Sequence, residues 1–181
     1  MDESRTCYNS WGNGSAMRVS AVAESFETRK EVEKMAAESA KVTHNHEEGV
    51  KGAVTTAVCI WMAKNGKSKE EIYNYVLEQY PMERYKYSGK DINYLEKHYT
   101  WDVSCMASVP VAMRAVYEAD SYEQCMRNLF RLDCDMDTLC CIAGGVAEEL
   151  FGMGDIDADT IIREHLDSRL YEILTGENEK G

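Results

Sequence analysis

The stretch Asp135-Met136-Asp137-Thr138, continuing as Leu139-Cys140-Cys141-Ile142-Ala143-Gly144-Gly145-Val146-Ala147-Glu148-Glu149-Leu150-Phe151-Gly152, decides how the chain is read. Small and apolar residues from Leu139 to Phe151 predict a helix, and Gly144-Gly145 in its middle marks close packing against a neighbour. Two carboxylates and a hydroxyl stand where that helix begins. Oxygen donors of this kind suit a hard cation such as Mg²⁺, which usually keeps waters or substrate phosphates in the rest of its shell. Asp and Thr are also preferred helix caps, and the helix dipole favours carboxylates at this end. These four residues alone fit both roles, and a metal would need further ligands from elsewhere.

Far upstream, Asn9-Ser10-Trp11-Gly12-Asn13-Gly14-Ser15-Ala16-Met17-Arg18 is a polar loop, punctuated by glycines, that runs into a helix. Gly12 and Gly14 open backbone conformations closed to other residues and let an anion approach main-chain N–H groups. Ser15 stands near the positive end of the following helix dipole. An ordinary loop and cap would use the same residue types. Thr43-His44-Asn45-His46 precedes a helical stretch from Glu47 to Ala63. Histidines one residue apart do not match zinc spacing on a helix, where ligands on one face are three or four apart, so cap or surface positions suit them better.

The rest of the chain reads as helices and short loops, with no clear strand, repeat or low-complexity segment. Thr28-x-x-Glu31, Ser68-x-x-Glu71 and Ser121-x-x-Gln124 are capping boxes, each opening a helix. Val50, Val54, Ala57, Val58 and Trp61 form a core-facing stripe, and Asn65-Gly66 ends that helix. Tyr80-Pro81 closes the next. Tyr85 to Thr100 is a Tyr- and Lys-rich connection whose aromatics (Tyr85, Tyr87, Tyr94, Tyr99) could stack bases. Without a surrounding excess of cations, surface packing suits them better. Ser108-Val109-Pro110 begins a helix through Tyr117, with Pro110 in its first turn, and Thr160 to Leu174 is a final amphipathic helix before a polar tail.

At 181 residues, the chain is long enough for one domain, residues 1–181, with a sizeable core. No apolar run approaches a membrane span, and Met1-Asp2-Glu3 is acidic where a signal peptide is basic. Seven cysteines with no C-x-x-C pair read as reduced, largely buried thiols of a cytoplasmic protein. A net charge of −12 excludes a nonspecific nucleic-acid binder, which would carry a basic stripe.

Taken in order, YNSWGNGSAMRVS (Tyr8 to Ser20), THNHEEGVKGA (Thr43 to Ala53), VSCMASVPVAM (Val103 to Met113) and DMDTLCCIAGGVAEELFG (Asp135 to Gly152) resemble the ADP-ribosylglycohydrolases, in particular those like the dinitrogenase-reductase-activating glycohydrolase. The resemblance runs from about Tyr8 to the last helix. It implies an all-α, orthogonal multi-helix bundle and hydrolysis of the glycosidic bond of ADP-ribosylated substrates at a binuclear Mg²⁺ or Mn²⁺ centre. It further implies that Asp135, Asp137 and Thr138 are metal ligands. Asn9, Ser10, Trp11, Gly12, Asn13 and Gly14 would wrap the diphosphate and ribose, and His44 would line the pocket. Met17 and Arg18 would support the loop, Arg18 by pairing with a carboxylate. No catalytic acid or base is assigned.

Two departures from the family pattern set further expectations. The Asp-Asp-Thr-bearing N-terminal segment that supplies the family's other metal ligands has no counterpart here, so the bundle is expected to be N-terminally truncated and its metal shell incomplete. Asp133-Cys134 replaces a glycine pair, which narrows the pocket and adds charge beside the two carboxylates. The partners expected are ADP-ribose or an ADP-ribosylated protein, with no nucleic acid and no membrane. Self-association, or a chain supplying the missing segment, would cover exposed core. A non-catalytic ADP-ribose-binding remnant is the alternative function.

Overall fold

The computed structural model describes residues 9–176, which form eleven helices and no strand. The expectations placed on Met1-Asp2-Glu3, Tyr8 and the tail from residue 177 lie outside the described residues. The helices are α1 (Gly14–Met17), α2 (Ser20–Ser25), α3 (Arg29–Lys41), α4 (Glu47–Lys64), α5 (Lys69–Gln79), α6 (Ile92–His98), α7 (Cys105–Tyr117), α8 (Tyr122–Phe130), α9 (Met136–Phe151), α10 (Ala158–His165) and α11 (Ser168–Thr175). The one sheet-like pairing among them is an isolated antiparallel bridge between Gly12 and Ser104.

Local chemistry starts most of these helices. Thr28 and Ser68 each complete a full capping box with the glutamate three residues on. Ser121 completes only half of one. Its hydroxyl accepts the Gln124 N–H, while the Gln124 side chain turns back to the Asp120 N–H instead. His46 caps α4 by accepting the Glu48 N–H at its Nδ1, 3.1 Å away. Gly66, at φ +74°, turns the chain out of that helix in the left-handed region open to glycine.

α4 is the axis of the molecule, packed against α1, α2, α3, α5, α7 and α9. It is not amphipathic in the expected way. Val50, Val54 and Trp61 are only half-buried, whereas Gly52, Thr55, Thr56, Cys59 and Ile60 are buried alongside Ala57 and Val58. A helix surrounded on most sides needs small residues more than it needs a stripe. Gly145 in α9 supplies the opposing flat surface, since a Cβ there would lie 3.0 Å from Ile60 Cδ1.

Three expectations are corrected by the structure. α7 starts at Cys105 behind the N-cap Ser104, so Pro110 sits inside the helix, with no N–H for the Met106 carbonyl one turn back. The Tyr-rich connection contains α6, and Tyr85, Tyr87 and Tyr99 are buried core residues, while Tyr94 stays exposed. Tyr87 and Tyr99 meet edge to face with centroids 4.7 Å apart, so no stacking platform faces solvent. The final helix is two, because Asp167 accepts the Leu170 N–H and caps a new start. No described helix is long and apolar enough to cross a membrane.

Candidate active site

Two residues that could cap their own helices do not. Asn13 precedes α1 and Asp135 precedes α9, and neither side chain takes a capping hydrogen bond. Instead the Asn13 amide donates to Asp135 Oδ2 at 3.0 Å and to Ser108 Oγ at 3.0 Å. The glycine loop, the start of α7 and the start of α9 therefore meet at one buried amide. Thr138, also buried, donates its hydroxyl to Met17 Sδ at 3.4 Å, which leaves its oxygen lone pairs uncommitted. Asp137 is in the first turn of α9 with its carboxylate exposed.

The loop is clamped by the segment before α7. Cys105 N–H donates to the Trp11 carbonyl at 3.1 Å, Asn13 N–H donates to the Val103 carbonyl at 2.7 Å, and the Cys105 thiol donates to the Gly12 carbonyl at 3.1 Å. Gly12 N–H is taken by Ser10 Oγ at 3.2 Å. Two of the amides expected to face an anion are thus committed within the protein. Gly12 and Gly14 are not at positive φ either; among the described non-glycine residues that conformation belongs to Asn9, at φ 55°. What requires glycine is space: a Cβ on Gly14 would lie 3.2 Å from His44 Nε2.

His44 is buried against this loop. Arg18 Nη2 donates to Thr43 Oγ1 at 2.6 Å, and Thr43 Oγ1 lies 2.7 Å from His44 Nδ1. The Thr43 hydroxyl thus holds the ring at Nδ1, and Nε2 faces Gly12 and Gly14. Burial, with the Arg18 charge adding to it, holds the imidazole below its ordinary pKa. Among the described residues, Arg18 therefore reaches His44 through a hydroxyl and pairs with no carboxylate.

Beside the loop, Trp11 and Trp101, both exposed, line a groove of about 400 Å³ with Asp102, Val103, Ser104 and Met106. Trp101, Cys105 and Ser108 carry much of this geometry, and no spacing in the sequence points to them; the one signal is their place in or next to the Val103 to Met113 motif. Gly52 belongs with them, since a Cβ there would overlap Cys105 Sγ at 2.2 Å. All six described cysteines are free thiols, Cys141 exposed and Cys140 half-buried. Burial pushes the Cys105 thiol up to about 11. Among the described residues, no group of three or more His, Cys, Asp or Glu is arranged to hold a metal ion.

The family model of the ADP-ribosylglycohydrolases matches residues 1–175. The chain belongs to that family. It is 37% identical to the ADP-ribosylhydrolase ARH3 of Homo sapiens over 62 residues, 34% of this chain and 17% of that protein. The Gallus gallus ARH3 is 34% identical over 64 residues, 35% of this chain and again 17% of that protein. The aligned segment is thus about a sixth of either relative. A solved structure described as an ADP-ribosylglycohydrolase-related protein complex superposes with a TM-score of 0.66 at 21% identity, covering 91% of this chain and 58% of that one. The all-helical bundle is accordingly the ADP-ribosylglycohydrolase fold.

Proposed function

We propose that the chain binds the ADP-ribosyl part of an ADP-ribosylated substrate between the Ser10–Gly14 loop and the start of α9, for hydrolysis of its glycosidic bond. The observation that carries this reading is the Asn13 to Asp135 hydrogen bond, which joins two motifs 122 positions apart. Capping accounts for neither side chain. In this reading Trp11 and Trp101 give the base two apolar faces, and base stacking of that kind contributes roughly 1–3 kcal/mol per base. His44 presents its Nε2 edge to the ligand from a neutral ring, and the clamped Gly12–Asn13 peptide fixes the loop before the ligand arrives.

Asp135, Asp137 and Thr138 fit a hard divalent cation, Mg²⁺ or Mn²⁺, by donor chemistry: each offers oxygen, and neither the Asp135 carboxylate nor the Thr138 lone pairs are consumed by the helix. Three donors fill only part of an octahedral shell, so the rest falls to water, substrate or donors beyond the described residues. Such a cation supplies Lewis-acid polarisation and a template for ribose hydroxyls and water. The chain's own part is to hold that face of the shell, with Asn13 fixing one oxygen of Asp135.

Titration calorimetry with ADP-ribose, with and without Mg²⁺, tests the binding step. Binding that Mg²⁺ strengthens and Asp135→Asn weakens by about tenfold, the scale of one charge-assisted hydrogen bond, is expected. No binding at millimolar ligand would overturn the reading. Release of ADP-ribose from a modified protein, abolished in Asp137→Asn, carries the enzymatic form. The shortfall of donors among the described residues supports the alternative of a non-catalytic ADP-ribose binder, and binding without release would carry that one.

A further inference from the structure

The tryptophan groove contains a carboxylate that stacking does not use. Trp11 and Trp101 belong to two segments held in a fixed register. The Gly12–Ser104 bridge joins them, with Cys105 N–H on the Trp11 carbonyl at 3.1 Å and Asn13 N–H on the Val103 carbonyl at 2.7 Å. Asp102 follows Trp101 in the chain, lines the same groove and is half-buried. It is tied down at two points. Its Oδ1 accepts the Ser104 N–H at 2.7 Å, and its carbonyl accepts the Ser108 hydroxyl at 3.3 Å. Ser108 in turn accepts the Asn13 amide, which also donates to Asp135. Asp102 thus belongs to the same hydrogen-bonded chain as the loop and the start of α9.

The second oxygen, Oδ2, is left over. Among the described residues it takes no hydrogen bond and no ion pair. Lys86, which shares the neighbouring cleft with Asp102, gives its ammonium to the Tyr87 hydroxyl at 2.8 Å. The other hydroxyl-bearing residue of the groove, Ser104, caps α7 by accepting the Ala107 N–H at 3.2 Å. A carboxylate oxygen accepts hydrogen bonds and cannot give one. Two indoles alone would hold any base, because every base has a π-face, so discrimination has to come from a group that meets the base edge.

We propose that Asp102 is a specificity-determining residue, whose free oxygen accepts a hydrogen from the exocyclic amine of the stacked base and so selects adenine. The inference rests on the proposed function, which puts the base between Trp11 and Trp101. An oxo group in place of the amine sets its lone pairs against the carboxylate, a repulsive element of the kind that makes a site selective. The two parallel donors of a guanine edge call for both carboxylate oxygens, and Oδ1 is already committed to Ser104.

Calorimetry on the full chain with Mg²⁺ tests this, using ADP-ribose and its analogues with purine or hypoxanthine in place of adenine. Purine lacks the amine, and hypoxanthine puts an acceptor where the amine was. ADP-ribose should bind about tenfold tighter than either analogue, the scale of one charge-assisted hydrogen bond. In Asp102→Asn the side-chain carbonyl can keep the Ser104 N–H, which leaves an NH₂ where the free oxygen was. That exchange of acceptor for donor should reverse the preference, so that the hypoxanthine analogue binds tighter than ADP-ribose. A purely structural role for Asp102 would weaken all three ligands alike, and a melting curve checks that the variant folds. Equal affinities in the wild type, or a preference for ADP-ribose that survives in Asp102→Asn, overturn the inference while leaving the ADP-ribose site intact. If none of the three binds, the proposed function falls and this inference with it.

Discussion

Burial and the Arg18 guanidinium both disfavour a charged His44, which ties the loop to pH. Its folded pKa lies below the ordinary value of 6.5, so as pH falls the unfolded chain takes up the proton first. The neutral imidazole therefore contributes stability that is fully present above about pH 6.5 and is lost as pH falls toward the depressed folded value. Urea midpoints between about pH 7.5 and pH 5 should fall more steeply in the wild type than in His44→Gln. Parallel slopes would show that His44 is not held neutral. Residues of this kind were only partly legible in advance. The glycines of the loop stand out in the sequence, but the reason for Gly14, room for the His44 ring and not a left-handed backbone, depends on a partner 30 residues away. Cys105 and Gly52 carry no local signal, because their fit is a matter of two surfaces meeting.

At the scale of elements, helix starts were legible where a full capping box stands in the sequence, as at Thr28 and Ser68, but not at the lone caps Asp91 and Asp167. Starts and breaks that depend on tertiary contacts were not. Ser104 opens α7 next to the Gly12 bridge, which lies 92 positions upstream. The paired glycines of α9 give a test of how that element packs. Alanine in a helix interior is favoured over glycine by about 1 kcal/mol, and overpacking a core costs about 1–3 kcal/mol. A Cβ on Gly144 meets only the Tyr122 hydroxyl, at 3.3 Å, the far end of a half-buried side chain that can move. On Gly145 it meets Ile60 Cδ1 at 3.0 Å and Ser20 Oγ at 3.2 Å, and Ile60 is enclosed in the core at 1% exposure. Propensity should win at the first position and crowding at the second. Gly144→Ala should unfold at or above the wild-type urea midpoint, and Gly145→Ala should lose about 1–2 kcal/mol. The reverse order would mean that α4 and α9 are not pressed together at Gly145.

Across the whole molecule, stability is distributed unevenly, and the distribution follows from which helices share the core. α4 and α7 bury most of their residues and α9 buries seven of its sixteen, whereas α10 and α11 bury none. Both of the latter are strongly one-sided, yet Ile161, Leu170, Ile173 and Leu174 remain exposed. The hydrophobic pattern at this end reads as a helix with a partner, and periodicity cannot report whether the partner lies in the same chain. Eight-residue helices are marginal without packing, because nucleation is unfavourable and few hydrogen bonds follow it. The caps at Asp157 and Asp167 contribute about 1 kcal/mol each, too little to hold the segment closed. Amides of α10 and α11 should therefore exchange with solvent deuterium near the unprotected rate, while those of α4 and α9 open only with global unfolding. Mass spectrometry of exchanged peptides reads both classes in one experiment. Protection over 158–175 that matches α4 would mean that this segment is covered in solution, and a dilution series would then show whether a second copy of the chain covers it.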